Sequence, residues 1–182
     1  MNLWHDVPKG ENCPEVFNCI IETPKGSQNK FEIDKETGLI ALDRANYTHY
    51  GYPFEYGFIP QTLWDDGDAI DVLLLTTFPL QQVGIMVEVR PVAVMEMIDS
   101  GESDYKIICV PTSDKRFEDI KDLEDLNKHS LKEWKNFFET LKLLKSDDPN
   151  KYKVEVKGYK GKAEAIEAIS RSIQLYNEKF AK

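Results

Sequence analysis

The segment Asp65-Asp66-Gly67-Asp68-Ala69-Ile70-Asp71-Val72-Leu73-Leu74-Leu75 constrains this chain more than any other. Four carboxylates fall within seven residues, and the last opens an apolar run. An uncompensated carboxylate packed beside Val72 and Leu73 would be destabilising by on the order of several kcal/mol. A hard divalent cation removes that penalty, because Mg²⁺ takes carboxylate and water oxygens. The fold must therefore either compensate Asp71 or leave it at a strand end. On spacing alone, an acidic surface turn with Asp71 capping a strand is the simpler account. An EF-hand calcium loop is disfavoured, because Ile70 falls at the fifth loop position and no glycine follows it.

The surrounding pattern points to an α+β chain. Val16–Glu22, Lys30–Asp34 and Leu39–Leu42 read as strands, with Phe31 and Ile33 facing inward and Lys35-Glu36-Thr37-Gly38 as a hairpin turn. Ala69–Thr77 reads as a buried strand. Two more strands flank a polar turn, one ending near Asp99 and one restarting near Tyr105. The last third changes period. Ser130 and Glu133 match a capping box, predicting a helix to about Leu144. Its apolar face is predicted to carry Leu131, Trp134, Phe137, Phe138, Leu141 and Leu144. A short strand over Tyr152–Val156 and a helix from Lys162 to about Phe180 follow. Strands first and helices last favour a small closed β-barrel with helices packed outside.

The 182 residues suit a single domain over positions 1–182. No apolar run reaches the length of a membrane span, and the first residues lack a signal-peptide layout, so a cytoplasmic protein is expected. Cys13, Cys19 and Cys109 are odd in number and lack metal-clip spacing, which argues against a disulfide framework. Net charge is −9, which disfavours nucleic acid as a partner but leaves room for a small phosphate ligand in a metal-bearing pocket.

Other chemistry is dispersed. A second acidic run, Asp99-Ser100-Gly101-Glu102-Ser103-Asp104, precedes Tyr105-Lys106. Asp104 and Lys106 alternate onto one face, as a plain salt bridge or as a metal ligand beside a phosphate ligand. Lys30 shares a face with Glu32, Arg44 follows Asp43, and Lys142 follows the helix stripe. Tyr52 and Tyr56 belong to a rigid aromatic corner, Tyr52-Pro53-Phe54-Glu55-Tyr56-Gly57-Phe58-Ile59-Pro60, that leads into the aspartate run.

Taken in order, Lys30–Gly38, Asp43-Arg44, Tyr52–Ile59, Asp66-Gly67-Asp68-Ala69-Ile70-Asp71-Val72, Asp99, Asp104-Tyr105-Lys106, Phe137-Phe138-Glu139 and Lys142 resemble soluble family I inorganic pyrophosphatases of prokaryotic type. The resemblance spans nearly the whole chain. It implies a five-stranded OB-like barrel with flanking helices, a pocket at the barrel mouth, and a homo-oligomer with a hexamer favoured. It implies Mg²⁺ as cofactor, with Mn²⁺ or another divalent ion also compatible, and pyrophosphate as substrate. Asp66, Asp71 and Asp104 would hold an activating metal. Asp71 would also reach a second metal, and Asp99 and Asp104, with Glu22 and Glu32 nearby, would serve metals arriving with substrate. Asp68 would deprotonate the attacking water, and Lys30, Arg44, Tyr56, Lys106 and Lys142 would hold the phosphoryl groups. Two positions depart from the family pattern. Ala69 stands where proline is usual, and Leu141 stands where a phosphate-donating tyrosine is usual.

Overall fold

A computed structural model describes residues 1–180. Its strands are β1 (Phe17–Thr23), β2 (Asn29–Ile33), β3 (Ile40–Ala45), β4 (Glu55–Phe58), β5 (Asp71–Leu74), β6 (Met86–Asp99), β7 (Glu102–Ser103), β8 (Lys106–Pro111) and β9 (Val154–Lys160). The two main helices are α1 (Lys128–Leu141) and α2 (Lys162–Phe180). Five strands pair in a ring, in the order β1, β4, β5, β8, β6 and back to β1. Every pairing in the ring is antiparallel except β5 with β8. β7 and β9 extend the sheet from the long strand β6, and β2–β3 forms a separate hairpin.

Alternation along the strands splits the core. Leu73 on β5 and Ile108 and Val110 on β8 pack with Phe54, Trp134 and Phe137, towards α1. Val72 and Leu74, with Ile107 and Cys109, pack with Ile169 and Ala165, towards α2. That is the period-two behaviour of a strand buried on both faces. β4 was read in the sequence only as an aromatic corner. It is a strand because its Glu55-Tyr56-Gly57-Phe58 backbone fills the gap between β1 and β5. Gly57 makes that fit possible. A Cβ there would lie 2.0 Å from the Ile20 carbonyl oxygen, closer than any side chain tolerates.

Three local expectations change. The N-cap of α1 is Asn127, whose side-chain oxygen accepts from the amides of His129 and Ser130 at 2.8 and 3.1 Å. Ser130 therefore sits inside the first turn rather than starting the helix. Leu144 leaves the apolar face, because α1 stops at Leu141 and the chain tightens into a 3₁₀ turn over Leu143–Lys145. Leu144 is 71% exposed. The strand expected over Ala69–Thr77 is paired only over Asp71–Leu74; Ala69 and Ile70 are buried without being part of it.

Candidate active site

Strand ends and turns converge on one cavity of about 430 Å³. Glu22 comes from β1, Lys30 and Glu32 from β2, Arg44 from β3 and Tyr56 from β4. Asp66 and Asp68 come from the β4–β5 turn, Asp71 from the first position of β5, and Asp99 from the last position of β6. Asp104 precedes β8, Lys106 begins it, and Lys142 caps the C-terminus of α1. Each residue to which the family resemblance gives a metal, catalytic or phosphate-binding role therefore lines the same space.

Register explains the centre of the site. Asp71 pairs with Lys106 across the parallel β5–β8 ladder. The Lys106 ammonium, on a side chain only 2% exposed, sits between the carboxylates of Asp71 and Asp104 and bonds both. Burial works to lower the Lys106 pKa, but the two carboxylates outweigh it, and the amine is held above its ordinary value. Tyr56 donates its hydroxyl to Asp71 at 2.5 Å, and burial followed by the charges of Asp71 and Asp104 keeps the phenol protonated. Asp71 is thus compensated by a buried cation and a phenol, not left as an exposed strand cap.

Two further carboxylates, Asp66 and Glu22, have no cation bonded to them among the described residues. Burial and then the charge of Asp104 push Asp66 up to about 7. Burial and then the charge of Asp71 push Glu22 up to about 8, although Glu22 accepts the Ile33 amide at 2.7 Å. Among the described residues no three His, Cys, Asp or Glu side chains converge closely enough to cage an ion as they stand. Lys106 occupies the space between two of them. The donor set is nevertheless all oxygen, largely shielded from solvent at Glu22, Asp71 and Asp104, and over-supplied with negative charge, which fits a hard divalent cation.

The cations lie around this acidic centre. Lys30 bonds Glu32 and lies 3.2 Å from Asp43, which also bonds Arg44. Lys142 bonds Asp99 and thereby holds that carboxyl below its usual range against the effect of burial. Asp68 is half exposed and bonds Lys35, while its amide donates to Asp66 at 3.0 Å. Sequence reasoning passed over Lys35, which lies in the β2–β3 turn, because nothing local connects a hairpin turn to the aspartate run. Trp4 also reaches the cavity from the N-terminal segment, and no sequence signal marks it. Leu141 lines the cavity, 5% exposed, and offers no donor.

Comparison with known proteins identifies the family of the chain. The family model described as inorganic pyrophosphatase matches residues 19–177. An inorganic pyrophosphatase of Haloferax volcanii is 42% identical over 184 residues, covering 100% of this chain and 99% of the relative. A soluble inorganic pyrophosphatase of Oryza sativa is 43% identical over 95% of this chain and 78% of its own length. The crystal structure of inorganic pyrophosphatase from Thermus thermophilus superposes with a TM-score of 0.91 at 40% identity, covering 97% of this chain and 99% of that one. The chain therefore belongs to the inorganic pyrophosphatase family of hydrolases.

Proposed function

We propose that this chain hydrolyses inorganic pyrophosphate to two phosphates in the cavity ringed by Asp66, Asp71, Asp104 and Lys106. The observation that carries the reading is the collection of an acidic centre and separate surrounding cations in one pocket, from strands that are distant in sequence. In this reading Asp66, Asp71 and Asp104 hold a first divalent ion. Asp71 and Asp99, with Asp104, Glu22 and Glu32, serve further ions that accompany the substrate. Bound Mg²⁺, or Mn²⁺, supplies neutralisation of the pyrophosphate charge and acidification of a water.

The chain's own residues do the rest. Asp68 is a half-exposed carboxylate of the aspartate turn, and it takes the proton from the attacking water. The new bond forms between that oxygen and phosphorus, and the bridging P–O bond breaks. The proton passes from Asp68 to the departing phosphate or to solvent. Lys30 and Arg44 on the hairpin, with Lys142 at the end of α1, bind phosphoryl oxygens and stabilise charge on the transferring and leaving groups. Tyr56 and Lys106 complete that set from the ring strands. Asp71, Asp99 and Lys106 sit at strand ends, so the ladder holds their relative positions, while Asp66 and Asp68 lie in the turn that leads into β5.

The five-strand ring is read as a small OB-like barrel, and residues 1–182 as a single domain. Among the described residues no helix is long and apolar enough to cross a membrane, and a cytoplasmic location is proposed. No nucleic acid partner is proposed. Assembly as a homohexamer is proposed from the family resemblance, and the exposed apolar side chains of Phe78, Met86 and Leu144 suit it. Light scattering at six times the 21.0 kDa chain mass is the expected result, and a monomer would refute the assembly. Metal-dependent release of phosphate from pyrophosphate, compared with an Asp71→Asn control, tests the activity.

A further inference from the structure

The aspartate turn is anchored from outside the cavity at three consecutive residues. The Leu63 amide donates to the Ser172 carbonyl of α2 at 2.9 Å. The Arg171 guanidinium lies 4.6 Å from the centre of the Trp64 ring. The same guanidinium grips Asp65 with two bonds, of 2.6 and 3.2 Å to the two carboxylate oxygens. α2 therefore holds residues 63, 64 and 65, immediately before Asp66.

Trp64 also reaches the other acidic segment. Its indole N–H donates to the Ser103 hydroxyl at 3.2 Å, and its ring lies 5.2 Å from the ring of Tyr105. Ser103 and Tyr105 are the two neighbours of Asp104 in sequence. One buried indole, 5% exposed, thus spans from the residue two before Asp66 to both residues flanking Asp104. Arg171 covers the indole and clamps the adjoining backbone through Asp65.

We propose that Arg171 and Trp64 form a clamp that sets the separation of Asp66 from Asp104, so that both are preorganised for one divalent cation. The proposal rests on Asp66 and Asp104 as metal ligands. Arg171 is a positioning residue: it does not line the cavity, and it acts through Trp64 and Asp65. As a surface ion pair alone, Arg171 with Asp65 would matter little, since half-exposed pairs contribute about 0–1 kcal/mol. Its value lies in fixing two ligand-bearing segments in the protein before the ion arrives, which removes ordering from the binding step.

Charge and clamp predict opposite signs, which makes the test sharp. Removing a cation near an acidic site should tighten Mg²⁺ binding if Arg171 acts only through its charge. The clamp requires the reverse. The measurement is Mg²⁺ binding to substrate-free protein by isothermal titration, for the parent, Arg171→Met, Arg171→Lys, Trp64→Phe and Asp66→Asn. For Arg171→Met the clamp predicts Kd raised about two- to fivefold, the scale of one cation–π contact. Arg171→Lys should fall between it and the parent, because lysine keeps the charge but lacks the planar fork. Trp64→Phe, which changes no charge, should also weaken binding, and KM for pyrophosphate at saturating Mg²⁺ should stay unchanged in Arg171→Met. Tighter or equal binding in Arg171→Met overturns the clamp, and so does parent-like binding in Trp64→Phe. If the parent binds no Mg²⁺, or Asp66→Asn binds as the parent does, the metal assignment itself has failed instead.

Discussion

At the scale of single residues, the site depends on where charge is compensated. Lys106 is shared between Asp71 and Asp104, Lys142 pairs with Asp99, and Lys35 pairs with Asp68. Asp66 and Glu22 have no cation bonded to them among the described residues, and burial first, then a neighbouring carboxylate, pushes each of them up. Leu141 is the one cavity position where the family pattern expects a donor and this chain has none. It lines the cavity from the last position of α1 with a buried apolar side chain. Leu141→Tyr is expected to raise kcat/KM for pyrophosphate about two- to tenfold, the value of roughly 0.5–1.5 kcal/mol for one neutral hydrogen bond. Steady-state kinetics at saturating Mg²⁺ check this, and an unchanged kcat/KM would show that the missing donor is already replaced.

Much of the site at this scale was legible in the sequence, because carboxylates entering an apolar run demand an explanation wherever they occur. Asp71 illustrates both the reach and the limit of that logic. Its need for compensation followed from Val72 and Leu73 beside it. That the nearest compensation is Lys106, 35 residues on, depends on the β5–β8 register, which no local pattern encodes. Lys35 and Arg171 stayed hidden for the same reason: each meets the aspartate turn only through tertiary packing.

At the scale of elements, α2 and the strands β1, β2 and β3 could be read from periodicity, and β4 could not. Four residues with a central glycine carry too little pattern, and Gly57 belongs there only because β1 approaches so closely. The helix start was misplaced by three residues because Ser130 and Glu133 imitate a capping box while Asn127 does the capping. Glu55 shows how an element can be held by a buried charge. Its carboxylate is fully buried and accepts the Lys25 amide at 2.8 Å, the Leu80 amide at 2.9 Å and the Thr76 hydroxyl at 3.2 Å. It thereby ties the β1–β2 and β5–β6 connections to β4. Glu55→Gln keeps the shape but turns an NH₂ toward a backbone donor. It is expected to destabilise the protein by about 1–3 kcal/mol, the cost of a buried unsatisfied group. Urea unfolding checks this, and a loss under about 0.5 kcal/mol would mean that the loops hold without it.

At the scale of the whole molecule, metal, protons and stability are linked. Glu22 and Asp66 titrate higher in the folded chain than in an unfolded one. The folded state therefore binds more protons between about pH 4 and pH 8, and stability falls as pH rises through that window. In EDTA, Tm is expected to drop from pH 5 towards pH 8, by about 2–4 °C for each kcal/mol lost. Saturating Mg²⁺ should flatten that decline, because the ion replaces the protons. A metal-free Tm that is flat or rising over the range would contradict the charge balance described for the cavity.

The proposed metal-assisted hydrolysis of pyrophosphate depends on the aspartates of the β4–β5 turn and of the first β5 position. Phosphate release by the purified protein, with and without Mg²⁺, beside Asp71→Asn, tests it most directly. The expected result is rapid Mg²⁺-dependent release by the parent chain and nearly none by Asp71→Asn. Turnover by the parent no faster than by Asp71→Asn would contradict it.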